Sequence, residues 1–146
     1  MATVTYYIAQ GVSANEERGA QILRFIAGEA LAIGQAVYLD ANNKLHPAKA
    51  DSSLHASAVG IICSTNNFYG ETAITSGQWA SVCTLGPVQG WQSLIDGEPI
   101  WVDAVTAGNM VDTAPTGGAY QFVVGQARGA DTINVMPGTT TPVSHA

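Results

Sequence analysis

The sequence contains few charged residues. Asp, Glu, Lys and Arg make up only 11% of its 146 residues, whereas a typical soluble domain has about 25%. A monomer usually keeps a charged surface for solubility. We therefore expect this chain, whose length suits a single domain, to bury part of its surface against copies of itself or a partner.

Among the charged residues, the basic ones are the fewer. There are 5 Lys and Arg against 11 Asp and Glu, and the formal net charge is −6. The basic residues form no run and are Arg18, Arg24, Lys44, Lys49 and Arg128. Nucleic-acid binding requires several cations to neutralise phosphates, and anionic membrane surfaces attract basic segments. The composition therefore argues against nucleic acid and membrane as partners.

The chain also lacks long apolar runs and is poor in cysteine. No stretch reaches the ~18 consecutive apolar residues of a membrane span, and the beginning lacks the basic region and apolar core of a signal peptide. We therefore expect synthesis and retention in a cytosol. In a reducing compartment, the 2 cysteines, Cys63 and Cys83, are expected to be small core residues rather than a disulfide.

Sequence motifs that carry chemistry are missing as well. Neither glycine-rich phosphate loop, GxGxxG or GxxxxGK[ST], occurs, and there is no CxxC, HxxxH, HExxH or GxSxG. His46, His55, Cys63 and Cys83 lack metal-ligand spacing. Asp51 and His55 would meet only on a helix, and we expect a loop there. The sequence thus predicts no catalytic residue, no metal site and no cofactor.

What the sequence does contain is an internal repeat. The first copy reads GQAVYLD from Gly34, NKLHPA from Asn43, and Val59-Gly60; the second reads GEPIWVD from Gly97, NMVDTA from Asn109, and Val124-Gly125. Two imperfect copies are too few for a solenoid, which needs about three. They predict a pseudo-symmetric β fold with units at about 34–63 and 97–127.

Apolar residues in these copies alternate as in β-strands. Ala36–Leu39 and Pro99–Val102 place an aromatic residue on one face and aliphatic residues on the other, and Gln78–Leu85 alternates between the copies. Asp40 and Asp103 directly follow their strands. We expect each to begin an Asx turn rather than to form a catalytic carboxylate pair.

The fold class predicted from these patterns is all-β, as a compact barrel-like or sandwich-like domain over residues 27–138. Residues 1–26 are predicted to form an extended arm or strand, and residues 139–146 a flexible polar tail. Within Glu16–Ile33, the segment Ile22–Ile26 suits either a helix or a strand, because its apolar spacing is helical but Gly19 and Gly28 interrupt it.

The candidate contacts with a partner or another copy are Val4, Tyr6, Ile8, Trp79 and Trp91. The β-prone run Thr3–Ile8 either adds to an open sheet edge of a neighbour or lies in its own sheet. Without basic partners, the aromatic residues favour core or subunit-interface packing over stacking on nucleic acid or sugar.

The order and spacing of several short runs resemble a known family. The runs are AGEALAIGQAVYLDANNKLHPA, AVGI, GEPIWVD, TAPTGG, FVVGQA and INVMPG, between about Ala27 and Gly138. In this order they are similar to bacteriophage capsid decoration (cement) proteins, small head proteins encoded next to the major capsid protein. The longer N-terminal part, Met1–Arg24, and the Thr-rich tail depart from that pattern.

The resemblance implies a non-enzymatic virion protein. Such a protein is made in the host bacterial cytoplasm, forms a homotrimer on the outer surface of the phage head, and bridges subunits of the major capsid protein. The departures leave open the base of a head fibre or a glycan-binding adhesion module that uses Trp79, Trp91 or Trp101. A third reading is a small enzyme or metal protein that uses the histidines and cysteines named above.

Overall fold

A computed structural model gives the fold and describes residues 4–6, 13–14, 19–63, 73–138 and 144–145. The strands are β1 (Thr5–Tyr6), β2 (Ser13–Ala14), β3 (Gln21–Ala27), β4 (Leu31–Ala32), β5 (Ala36–Leu39), β6 (Lys44–Pro47), β7 (Gly60–Ile62), β8 (Ala73–Ile74), β9 (Trp79–Gln89), β10 (Trp91–Gln92), β11 (Pro99–Val102), β12 (Met110–Val111), β13 (Ala119–Tyr120), β14 (Val123–Arg128), β15 (Thr132–Val135) and β16 (Ser144–His145). One helical turn, α1, spans Ser53–Ala56. The predicted all-β fold is confirmed. None of the helical structure in these ranges has the length and apolar character that a membrane crossing requires.

The first repeat unit is part of a closed barrel. Its strands pair in the ring β9–β3–β6–β5–β7, and β7 returns to β9. The β3–β6 pair is parallel, and the other pairs in the ring are antiparallel. Closure of this kind satisfies backbone groups that an open sheet would leave at its edges.

The second unit extends the same sheet from the far half of β9. Beyond the barrel, β9 pairs with β15, and the order continues through β14 and β11 to β12. Gly86 lies between the two halves with a φ of 99°. A Cβ placed there would lie 2.8 Å from the Ala20 Cα atom, so this crossing point accepts only glycine.

The repeat in the sequence is a repeat in strand pairing. In the first unit Val37 pairs with Gly60, and in the second Ile100 pairs with Gly125 at the equivalent positions. A Cβ on Gly60 would collide with the Cys83 carbonyl oxygen, and one on Gly125 with the Asn134 carbonyl oxygen. Each glycine therefore permits close approach of the next strand, β9 or β15.

Both aspartates form the predicted Asx turns. The Asp40 Oδ1 atom accepts hydrogen bonds from the backbone N–H of Asn42 at 2.8 Å and of Lys44 at 3.0 Å. The Asp103 Oδ1 atom accepts one from the backbone N–H of Val105 at 3.1 Å. The second turn also docks on the first unit, because its backbone carbonyl at Asp103 accepts from the Ala50 N–H at 2.9 Å.

The open choice between helix and strand at Ile22–Ile26 is resolved as strand. These residues lie in β3, whose register with β9 runs from Gln21–Leu85 to Ile26–Trp79. The predicted domain boundary between residues 26 and 27 therefore falls inside a barrel strand. Within the predicted tail, β16 pairs with β13, and residues 139–143 and 146 lie outside the described part of the chain.

The alternation predicted for β9 fails at one residue. Strict alternation along Gln78–Leu85 would place Cys83 on the same face as Trp79 and Leu85, which are exposed, yet Cys83 is fully buried. It lies opposite both Ile22 and Ile61, where β3 and β7 flank β9, beside a register shift in β3. The second cysteine, Cys63, is buried as well, and both are free thiols, as predicted.

The close strand contacts at Gly60 and Gly125 generate a prediction. Substitution of either glycine by alanine should force the neighbouring backbone apart and lower the free energy of unfolding by about 1–3 kcal/mol. Urea denaturation monitored by circular dichroism measures this. Ser76→Ala, at an exposed turn position, serves as the control and should change stability by less than about 0.5 kcal/mol. Unchanged stability in both glycine variants would contradict the close-approach argument.

Candidate contact surface

Two of the predicted contact residues are tryptophans, and the structure separates them. Trp79 begins β9, lies opposite Ile26, and is 59% exposed. Trp91 in β10 is only 1% exposed, so its indole packs in the core and presents almost no surface to a partner. The sequence did not distinguish them, because both stand in similar polar surroundings and only tertiary packing determines which is covered.

The predicted N-terminal contacts are partly tied to their own chain. Tyr6 in β1 pairs with Trp91 in β10, and the Val4 backbone N–H donates to the Met110 carbonyl at 2.9 Å. Of the two alternatives for Thr3–Ile8, pairing within its own sheet therefore holds for β1. Ile8 lies outside the described residues.

An open groove lies between the barrel and the second unit. Its volume is about 610 Å³, within the ~300–1,000 Å³ of ligand pockets. Its lining contains no charged side chain and consists of Gln21, Leu23, Phe25, Leu39, Ser57, Ala58, Val59, Thr84, Phe122, Pro137 and Gly138. This is a mainly apolar concave surface to which both repeat units contribute.

Leu85 and Met136 are exposed apolar residues, each adjacent in the chain to a groove residue, Thr84 or Pro137. Leu23, which lines the groove, is 44% exposed, and Leu85 and Met136 are 50% and 44% exposed. Leu85 and Met136 directly flank the Gly86–Val135 pair of β9 and β15. Exposed aliphatic residues are ordinary one at a time, but grouped beside a groove they mark an interaction site. We call the groove together with Leu85 and Met136 the apolar surface.

Sequence reasoning did not find the apolar surface. Leu23 and Phe25 lie in the segment whose secondary structure was left open, so the face that they share was unknown. Phe122 comes from the second unit and Pro137 follows β15, and only the pairing of β15 with β9 brings them beside the barrel. The one available signal was the alternation of Leu23 and Phe25 with more polar neighbours.

On the barrel, His46 links two carboxylates. Its Nδ1 atom lies 2.6 Å from Glu29 Oε2, and its Nε2 atom lies 2.7 Å from Asp40 Oδ2. Ionised carboxylates only accept hydrogen bonds, so both contacts are hydrogen bonds together only when the imidazole is protonated and donates from both nitrogens. The hydrogen bond to Glu29, followed by the one to Asp40, raises the pKa of His46, although partial burial opposes the shift. The hydrogen bond from His46 lowers the pKa of Asp40.

Tyr38 connects this cluster to a second histidine. The centroid of its ring lies 5.4 Å from that of the His46 ring, on which it stacks, and 5.0 Å from that of the His55 ring. His55 Nδ1 in turn lies 2.7 Å from Asp51 Oδ1. The expected loop at Asp51–His55 is corrected here: the Ser52 side chain accepts from the His55 N–H and caps the helical turn α1, which brings the two side chains together.

The contacts of His46 stabilise its protonated state. Both nitrogens of His46 are engaged by carboxylates, so the protonated ring has no lone pair for a metal ion or a substrate proton. The histidines do not meet the cysteines, which lie in the core, where burial raises the pKa of Cys63 to about 12 and that of Cys83 to about 11. In the described ranges, no group of three or more His, Cys, Asp or Glu residues could hold a metal ion.

Comparison with known proteins gives no matching family model and no matching curated protein. The observations that bear on function are therefore the apolar surface, the exposed Trp79 and the sequence pattern.

The Glu29–His46–Asp40 contacts predict a pH-dependent stability. The raised pKa of His46 makes its contribution complete below pH 6.5 and lost as the pH rises through the folded-state pKa. The lowered pKa of Asp40 makes its contribution complete above pH 3.8 and lost as the pH falls through its own folded-state pKa. Wild type should therefore exceed His46→Gln in stability most clearly between pH 3.8 and pH 6.5. The difference should shrink at alkaline pH.

Thermal unfolding at pH 5.5 and pH 9 measures this difference, and an NMR titration of the His46 ring should give a midpoint above 6.5. Glu29→Gln keeps the imidazole but removes one acceptor charge, so it should give a smaller pH dependence than wild type. An equal stability difference between wild type and His46→Gln at both pH values would contradict the ionic link.

Proposed function

We propose that this chain is a structural protein of a bacteriophage virion that binds the outside of the capsid and stabilises it by bridging major capsid subunits. The observation that carries the proposal is the apolar surface, an uncharged groove with exposed Leu23, Leu85 and Met136 beside it. The resemblance of the repeat to capsid decoration proteins supplies the identity of the partner.

The scaffold suits a bridging role. Burial of apolar area contributes about 25 cal/mol per Å², and a surface of uncharged side chains can be desolvated without stranding a charge. On a capsid lattice, many modest contacts add through avidity. Because both repeat units share β9, a load on one unit passes directly to the other through backbone hydrogen bonds.

The proposal includes self-association as a homotrimer. The low charged fraction of the sequence favours a chain that covers part of its surface with other copies, and decoration proteins of the kind resembled form trimers. Synthesis would take place in the host bacterial cytoplasm, and the assembled protein would lie on the outer surface of the head. Neither nucleic acid nor membrane is a proposed partner, since the chain carries only 5 basic residues.

Reconstitution tests the proposed function. Purified protein is mixed with phage heads that lack it, and the heads are imaged by cryo-electron microscopy and heated. We expect ordered additional density at three-fold and quasi-three-fold positions and a higher temperature of head rupture. Failure to bind heads of its own phage would reject the proposal.

A pair of surface variants tests the role of the apolar surface. Leu85→Asp should weaken head binding by about tenfold or more, because burying a leucine side chain contributes about 1.5–3 kcal/mol. Val105→Asp is the matched control. Val105 is 76% exposed and lies in the Asp103–Asn109 turn, outside the groove lining, so this variant should bind heads with the affinity of wild type. Sedimentation of heads with fluorescent protein measures both. Equal binding by the two variants would remove the apolar surface from the contact.

The exposed Trp79 supports a second candidate, a glycan-binding module or the base of a head fibre. The residue is 59% exposed, so its aromatic ring is accessible for stacking against a sugar ring. A glycan array probed with wild type and Trp79→Ala separates the candidates. Glycan binding that disappears in the variant, together with failure to bind heads, would favour adhesion; head binding without any glycan signal would favour the capsid role.

A further inference from the structure

In the part of the chain that the structure describes, the start of β3 has an edge beside the groove with which no strand pairs. The Ala27 N–H donates to the Gln78 carbonyl and its own carbonyl accepts from Gly77, both at 2.8 Å, so Ala27 faces β9. Backbone groups of successive strand residues point to opposite edges, so those of Ile22, Arg24 and Ile26 point away from β9. Ile26 meets β6. Among the described residues, no strand pairs with this second edge at Ile22 and Arg24.

The two faces of β3 beside this edge differ. Leu23 and Phe25 project from one face into the groove, whereas Arg24 projects from the other and is exposed. Arg24 is one of only 5 basic residues in the chain, and no ion pair is found for it in the described residues. A strand laid along this edge would meet an apolar groove on one side and a positive charge on the other.

We infer that this edge and groove accept an extended segment of a partner protein, which adds as a strand to β3. The segment would carry apolar side chains at alternate positions, pointing into the groove, and a carboxylate opposite Arg24. The inference rests on the proposed function in one respect, that the partner is the capsid protein; the recognition chemistry is defined by β3 itself.

Strand addition fits these observations better than a small apolar ligand. A ligand in the groove would use Leu23 and Phe25 but would leave the backbone groups of Ile22 and Arg24 unused. An added strand satisfies those groups with backbone hydrogen bonds, which supply affinity, while alternate side chains supply specificity. Open strand edges are usually covered or blocked in native proteins, and within the described ranges the exposed Arg24 is the one charged side chain on this stretch of β3.

The probe for this inference is a capped heptapeptide, Val-Thr-Val-Asp-Val-Thr-Val, which places valines on one face and the aspartate on the other. Its binding is followed by NMR amide shifts and by amide hydrogen exchange. The amides of Ile22 and Arg24 should exchange rapidly in the free protein and slow on binding. Those of Leu23 and Phe25 already face β9, so they are internal controls that should be slow in both states.

Two variants test the edge directly. Arg24→Pro removes the outward N–H and blocks strand addition, while the pairing with β9 does not use that N–H; proline is tolerated at such edge positions. It should weaken peptide binding by about tenfold. Arg24→Ala keeps the N–H and loses only the charge, so it should bind more tightly than Arg24→Pro. If Arg24→Pro does not fold, Leu23→Glu, which alters the groove face alone, replaces it.

The same exchange measurement on head-bound protein distinguishes this inference from the proposed function. Protection of Ile22 and Arg24 on heads supports strand addition by the capsid. Head binding without this protection, together with no peptide binding, overturns the inference and leaves the proposed function standing. Peptide binding without head binding upholds the edge and rejects the capsid partner. Protection that rises with protein concentration alone would make a second copy the occupant and overturn the inference as stated.

Discussion

The long strand β9 is the constraint on which the rest of the fold depends. Its 11 residues pair with β3 and β7 inside the barrel, then with β15 in the second unit. The barrel could not close without the first half of β9, and the second unit joins the same sheet through the other half. Because a Cβ on Gly86 would collide with Gly19 and Ala20, β9 passes from the barrel to the second unit in close contact with the segment that leads into β3.

Barrel closure and the open edge of β3 are two results of the same geometry. The parallel β3–β6 pair covers only Ile26 and Ala27, because β6 begins at Lys44, opposite Ile26; in the described ranges the start of β3 pairs with β9 alone. The contact between His46 and Asp40 links β6 to the turn that follows β5, and the Ser52 side chain caps α1. Hydrogen bonds of the His46 cluster stabilise the charged part of the barrel, and the apolar surface contains no charged side chain.

Glycines and aspartates in the sequence indicated several local features of the fold. Gly60 and Gly125 specify close strand contacts, and Asp40 and Asp103 specify turns, because each of these effects arises from local backbone chemistry. The burial of Trp91, the pairing of Glu29 with His46 and the groove at Phe122 depend instead on residues distant in the chain. No local pattern encodes such contacts, so the contact surface could be recognised only after the strands were placed.

The Asp103 turn has a practical consequence. Its ends are fastened to each other, since the Asp103 N–H donates to the Asn109 carbonyl at 3.1 Å, while Val105 at its tip is 76% exposed. Lengthening a loop whose ends are already joined costs little, about 0.6 kcal/mol for each doubling of its length. A foreign peptide could be spliced in at this tip, and the chain would then serve as a carrier that shows an epitope clear of its own fold.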